Sequence, residues 1–343
     1  MYPALTVAEK LDKNQHQVLW VGSEGGMEAD LVARASLNFE AIQAAGVHGV
    51  SLAKLPSNLA KLWRGYQQSR KILEGFQPEV LFFTGGYVAI PMALAGLKLK
   101  SLLYVPDIEP GLALKTLARF SDHIALTTPE SKKWFSRKKK MTVTGYPLRD
   151  DIKKWSKSDA QAYFKLETDL PTVLFVGGSS GARSINQAVL AVLDQLLEKY
   201  QIIHLTGHLD WETVQAATVN AGDRYHAFPY LHEIGAAMAA ADLAVSRAGA
   251  STLGEYPFFG LPAILVPYPY AWRYQKVNAD YLVERGAAVM LPDEELKTDL
   301  LKLINDLLAN PAYLEHMSRA MSALSEPMAA ERITELLFEM TEA

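Results

Sequence analysis

Ten short apolar runs, each followed by an amphipathic segment, constrain this chain more than any other feature. They lie at 17–22, 80–83, 102–105, 123–126 and 141–144, then at 172–177, 201–205, 243–246, 263–266 and 287–291. Near-continuous apolar strands alternating with helices belong in parallel sheets covered on both faces. The expected fold is therefore α/β, with two doubly wound, Rossmann-like domains facing a cleft. The alternation lapses once, between 146 and 171, in a charged stretch with two prolines and no core strand. The expected domains are 1–148 and 149–325, with 326–343 a helix that packs back on the N-terminal domain. Ligands of such sheets bind at the carboxyl ends of the strands, at the topological switch point.

Composition narrows the class. The 343 residues, 49% hydrophobic and 21% charged, fit a soluble globular protein of about two domains. Without cysteine there is no disulfide or thiolate metal site, which suits a reducing compartment. The chain opens Met1-Tyr2-Pro3-Ala4, with no basic-then-apolar leader. Residues 80–97 carry no charge, but Thr84-Gly85-Gly86 and Pro91 divide them into strand, glycine loop and packed helix. Residues 1–150 hold 19 Lys and Arg against 13 Asp and Glu, a net of +6, leaving 15 against 25 and a net of −10 for the rest. That asymmetry points the N-terminal half toward an anionic surface, or reflects ordinary surface variation.

Three strand ends carry small residues suited to anions. After 172–177 comes Gly177-Gly178-Ser179-Ser180-Gly181-Ala182, then a helix. A glycine turn there lets backbone N–H groups reach a phosphate, with the Ser179 hydroxyl as a further donor. The plainer reading is a tight turn with a serine cap. Gly85-Gly86-Tyr87 repeats the pattern in the first half. After 243–246 comes Arg247-Ala248-Gly249-Ala250-Ser251-Thr252, with Leu253, Gly254 and Glu255 opening a helix. Glu255 can accept from paired sugar hydroxyls, or close a capping box with Thr252. Arg149 and Arg247 suit a phosphate or an ion pair equally. Gln275 and Asn278 follow the next strand.

Other signals are weaker. The eight histidines make no metal pattern, and no protein-built metal site is expected. Leu59, Leu62, Trp63, Tyr66 and Leu73 follow helical spacing beside Lys61, Arg64, Arg70 and Lys71. Such a stripe packs on its own sheet or lies at a membrane interface. The 132–140 segment, KKWFSRKKK, is a second basic and aromatic stretch, suited to lipid head groups or to a solvated helix end. Negative net charge disfavours nucleic acid.

The motifs together resemble the MurG family of peptidoglycan glycosyltransferases, of GT-B architecture. The resemblance rests on PALTVAEKL after Tyr2, MEADLV at Met27, TGGY at Thr84, VTGYPLR ending at Arg149, VGGSSGARSINQ at Val176, SRAGASTLGE at Ser246, GLPAILVP at Gly260 and QKVNA at Gln275. It implies inverting transfer of N-acetylglucosamine from UDP-N-acetylglucosamine to the 4-hydroxyl of undecaprenyl-diphospho-muramoyl-pentapeptide, with no built-in cofactor. It implies a peripheral enzyme on the cytoplasmic face of the bacterial cell membrane, with an anionic lipid surface and a lipid-linked acceptor as partners. By the family pattern Ser179 contacts the donor diphosphate, Arg149 and Leu231 lie by the nucleotide, and Ala250, Ser251, Thr252, Leu253, Gly254 and Glu255 line the donor. Glu255 takes the ribose hydroxyls and Gln275 the sugar hydroxyls. Arg247 and Asn186 bear on the same site, and Gly85, Gly86 and Tyr87 face the acceptor diphosphate.

The chain departs from the pattern in three places. The family carries a strand and the loop G-G-T-G-G-H, with its favoured base histidine, ahead of the segment matching Tyr2-Pro3-Ala4. A start further upstream is the expectation. Asp107 stands where the family has Asn, so Asp107 or Glu109 is a conjectural base. Trp272 and Tyr274 replace polar residues of the sugar loop. Alternatives left open are another GT-B enzyme, a glycolipid synthase or UDP-N-acetylglucosamine epimerase, and a non-catalytic UDP-sugar binder. Oligomeric state is not legible.

Overall fold

A computed structural model describes residues 1–342 except 12–14, 27, 47–50, 52, 179–180 and 271. The chain divides into two compact units. Unit 1 comprises Met1–Pro147 with Met328–Ala343, and unit 2 comprises Leu148–Pro327.

Unit 1 holds β1 (Leu19–Ser23), β2 (Asn38–Ile42), β3 (Val80–Phe83), β4 (Lys100–Val105), β5 (His123–Leu126) and β6 (Lys140–Val143). All its ladders are parallel: β1 pairs β2, and β3–β4–β5–β6 form a second sheet. Among the described residues the ladder is interrupted between β1 and β3. Side chains alternate across β4. Leu103 and Val105 meet Ala89, Met92 and Ala93 of one helix and Leu114 and Leu117 of another. Leu102 and Tyr104 face the other way, onto Val7 and onto Ile333, Leu336, Leu337 and Met340. The helix Ala329–Glu342 thus covers the second face of unit 1. Its four core side chains contribute about 2 kcal/mol each.

Unit 2 holds β7 (Thr172–Val176), β8 (Gln201–Leu205), β9 (Tyr225–Phe228), β10 (Leu243–Ser246), β11 (Ala263–Leu265) and β12 (Ala288–Met290). They form one parallel sheet in the order β12-β11-β10-β7-β8-β9. Val173 and Phe175 of β7, with Val245 and Ile264, pack against Ile185, Val189 and Leu193 of the helix Arg183–Leu197, and Leu300 and Ile304 of the helix Leu296–Leu308 join the same core.

Among the described residues, ten of the twelve strands coincide with the apolar runs. The two without such a run, β2 and β9, each end a sheet. Residues 38–42 alternate between exposed and partly buried before reaching Ile42, and every residue of β9 is only partly buried. An edge strand needs no continuous apolar run.

Candidate functional site

The chain leaves β7 toward β8 on one side and returns to β10 on the other, so the loops after β7 and β10 diverge at the switch point of unit 2. The first is the glycine loop 177–182. A Cβ at Gly177 would lie 2.2 Å from Ala182 N, and one at Gly181 would lie 2.2 Å from Thr206 O, where φ is already +80°. Only glycine fits this close approach of backbone to backbone. Ser179 lies outside the described residues.

The loop after β10 begins with Arg247, which is held on several sides. Its guanidinium donates to Val266 O (3.2 Å), Asp293 Oδ1 (2.5 Å) and Ser184 Oγ (2.7 Å), and stacks 5.3 Å from the Tyr268 ring. It is a strut joining the ends of β10 and β11 to the start of the Arg183–Leu197 helix. Ala250–Leu253 then makes a 3-10 turn, and Glu255 opens the short helix Glu255–Phe259. No capping box forms: Thr252 Oγ1 donates 2.7 Å to Gly249 O, and Gly254 at the cap position has no side chain. Glu255 instead hydrogen-bonds Ser251. Burial pushes its carboxyl up to about 7, against the lowering effects of Ser251 and Arg149 and with a small further rise from Asp151. Arg149 itself pairs with Asp151 at 3.4 Å.

The remaining residues sit at neighbouring strand ends. Gln275 accepts from Tyr268 N–H at 2.8 Å through Oε1. Asn278 is buried and donates to Ala248 O at 3.2 Å. Leu231, buried, follows β9. Asn186 is buried on the Arg183–Leu197 helix, and its amide donates to Thr206 O (2.9 Å) and Asp210 Oδ2 (3.0 Å). The side chain of Trp272 is outside the described set, while Tyr270 of the same loop is 89% exposed.

Unit 1 presents its own strand-end residues. After β3, Gly85 and Gly86 have φ of +110° and +86°, and the exposed Tyr87 ring lies against Gly46. After β4, Glu109 is buried with Lys115 Nζ 3.4 Å away, and that ammonium also sits 4.7 Å over the Trp134 ring. Asp107 is the more accessible of the two conjectural bases. The helix Leu55–Phe76 approaches its neighbours through Gly65, where a Cβ would meet Gln43 O at 2.0 Å. Its Leu59 and Trp63 are 53% and 60% exposed, with Trp63 stacked on Tyr66. Trp134 and Phe135 of the second basic segment are partly buried, Phe135 against the unit 1 core.

Residues 172–333 match the glycosyltransferase family 28 C-terminal domain, and residues 1–126 its N-terminal domain. Two relatives carry the name UDP-N-acetylglucosamine--N-acetylmuramyl-(pentapeptide) pyrophosphoryl-undecaprenol N-acetylglucosamine transferase. The one from Roseiflexus sp. (strain RS-1) is 38% identical over 98% of this chain and 91% of its own length. The one from Desulforamulus reducens is 36% identical over 97% and 93%. The chain belongs to glycosyltransferase family 28 and, within it, to the MurG family. The crystal structure of Acinetobacter baumannii MurG superposes with a TM-score of 0.79 at 25% identity, covering 98% of this chain and 95% of that one.

Three residues to which the motifs gave no role support the site of this MurG-family chain. Ser184 and Asp293 hold Arg247, and the backbone of Tyr268 holds Gln275. Asp293 lies 46 residues from Arg247 and has no motif context, so only the fold reveals the pair. Among the described residues no group of His, Asp or Glu is disposed to hold a metal ion.

Proposed function

We propose that this chain transfers N-acetylglucosamine from UDP-N-acetylglucosamine to the 4-hydroxyl of an undecaprenyl-diphospho-muramoyl-pentapeptide, the step that makes lipid II. The observation that carries the reading is the near full-length relatedness to transferases named for this reaction. The convergence of the glycine loop, the Ala250–Glu255 turn and Gln275 at one end of the unit 2 sheet supports it. In this reading unit 2 binds the donor. Glu255 accepts from the ribose hydroxyls, Leu231 offers backbone to uracil, and Gln275 uses its amide nitrogen on the sugar while its oxygen stays on Tyr268. Backbone N–H groups of 177–182, the Ser179 hydroxyl and Arg149 receive the diphosphate.

Unit 1 takes the acceptor diphosphate at Gly85, Gly86 and Tyr87. The acceptor oxygen bonds to the anomeric carbon from the face opposite the diphosphate. The bond from that carbon to the phosphate oxygen breaks, and UDP leaves with its electron pair. A carboxylate takes the hydroxyl proton, and Asp107, more accessible than the buried Glu109, suits this role better. Preorganised donors stabilise charge growing on the departing diphosphate.

The enzyme works as a peripheral protein on the cytoplasmic membrane face. Exposed Leu59 and Trp63, flanked by Lys61 and Arg64, support lipid contact through unit 1. No described helix is long and apolar enough to cross a membrane. Transfer of radiolabelled sugar to a short-chain lipid acceptor tests the proposal. Labelled lipid product is the expected result. Turnover of UDP-N-acetylglucosamine without acceptor, or binding without transfer, would overturn it.

A further inference from the structure

We propose that His204, a residue of β8 with no assigned role, is a positioning residue that, through Asn186, holds Gly181 and Arg183 in place where the glycine loop after β7 enters its helix. The proposal rests on the donor-binding reading above and adds the device that keeps the loop ready.

The hydrogen bonds run in one determinate direction. Asn186 donates both amide hydrogens, to Thr206 O and to Asp210 Oδ2, so its Oδ1 must accept. That oxygen lies 2.9 Å from His204 Nε2, which therefore carries the proton. His204 Nδ1 is left as an acceptor and takes the Tyr225 hydroxyl at 2.7 Å. The chain reads Tyr225 to His204 to Asn186, then to Thr206 O and Asp210, and Asp210 in turn receives Arg183 Nε at 2.9 Å. His204 and Asn186 are fully enclosed. Burial holds the imidazole down to about 3, so it stays neutral with one donor and one acceptor at any working pH.

The output of this chain is the position of one carbonyl. Thr206 O is the atom against which Gly181 is pressed, the place where a Cβ would sit at 2.2 Å. Arg183, two residues on, opens the helix that follows the loop and is tethered by Asp210. Asn186 thus reaches Gly181 through Thr206 O and Arg183 through Asp210 without facing solvent, which suits positioning better than ligand contact. Sequence spacing hides the device, because Asn186, His204 and Tyr225 belong to one helix and two strands.

The test uses the full chain with UDP-N-acetylglucosamine as probe. His204→Leu removes donor and acceptor together, and His204→Gln restores one of each. Calorimetry on folded His204→Leu is expected to show a rise in Kd of tenfold or more. The donor KM should rise alike, with kcat within threefold of wild type, and His204→Gln should return both constants to within threefold. In ligand-free protein, amide exchange in peptides covering 176–183 and 205–208 should quicken in His204→Leu and recover in His204→Gln. A folded His204→Leu with unchanged Kd overturns the proposal. If His204→Leu does not fold, Tyr225→Phe decides. It frees the tautomer at the far end of the chain and should raise Kd about threefold, and no change would refute the inference. Should wild type itself not bind UDP-N-acetylglucosamine, the donor reading fails, and the exchange comparison alone decides whether His204 sets the loop.

Discussion

Replacing Glu255 by glutamine should stabilise the protein and cripple it together. The folded structure raises this carboxyl from 4.5 to about 7, chiefly by burial. An acid whose value is raised on folding favours the neutral form. Its contribution is fully present below pH 4.5 and is lost as pH climbs through 7. The shift corresponds to an upper bound of about 3 kcal/mol at pH 8. The amide would keep the shape of the side chain without its charge. Thermal unfolding should then show the variant above wild type at pH 8 by up to about 6 °C, with no difference near pH 4.5. Donor binding runs the other way, because ribose hydroxyls need the carboxylate as acceptor. Ionisation of Glu255 falls from roughly nine tenths at pH 8 to one tenth at pH 6, so the Kd for UDP-N-acetylglucosamine should weaken about tenfold over that range. The glutamine variant should bind weakly and show no such dependence. A Glu255→Gln protein less stable than wild type at pH 8, or a wild-type Kd that is flat between pH 6 and 8, would refute the reasoning.

Gly181→Ala should cost more than about 1 kcal/mol and weaken UDP binding at least tenfold, measured by urea unfolding and calorimetry, because φ is positive and Thr206 O occupies the space. Arg247→Met should cost about 3 kcal/mol in urea unfolding by stripping the Asp293 carboxylate of its guanidinium partner and leaving it only the Ser184 hydroxyl. Leu59→Glu with Trp63→Glu should abolish co-sedimentation with anionic vesicles while shifting stability by less than about 0.5 kcal/mol per site, because both side chains are exposed. Deleting 329–343 should uncover Leu102 and Tyr104 and unfold unit 1, seen as loss of the cooperative thermal transition.

The architecture was legible wherever burial on both faces forces a run of apolar residues. Such runs marked β5, β8 and β10 to the residue. The edge strands β2 and β9 were not legible, since their side chains, Ile42 aside, are exposed or only partly buried. The glycine loop was visible because φ and close approach leave glycine no substitute at Gly181. Side-chain partnerships were not. Thr252 and Glu255 have the spacing of a capping box, yet a 3-10 turn at Ala250–Leu253 rotates Thr252 onto Gly249 and leaves Glu255 for Ser251. The basic stretch at 132–140 reads as suited to lipid head groups or as a solvated helix end, and neither reading tells that Phe135 turns inward or that Lys115 covers Trp134. Local pattern reports burial and backbone demand, while pairs such as Arg247 with Asp293 depend on loops that meet only in the fold.

A crystal structure with UDP-N-acetylglucosamine bound tests the central claim most directly. The account predicts ribose hydroxyls on the Glu255 carboxylate, the diphosphate on the 177–182 backbone and the sugar on Gln275. A nucleotide seated away from the carboxyl ends of β7 and β10 would contradict it.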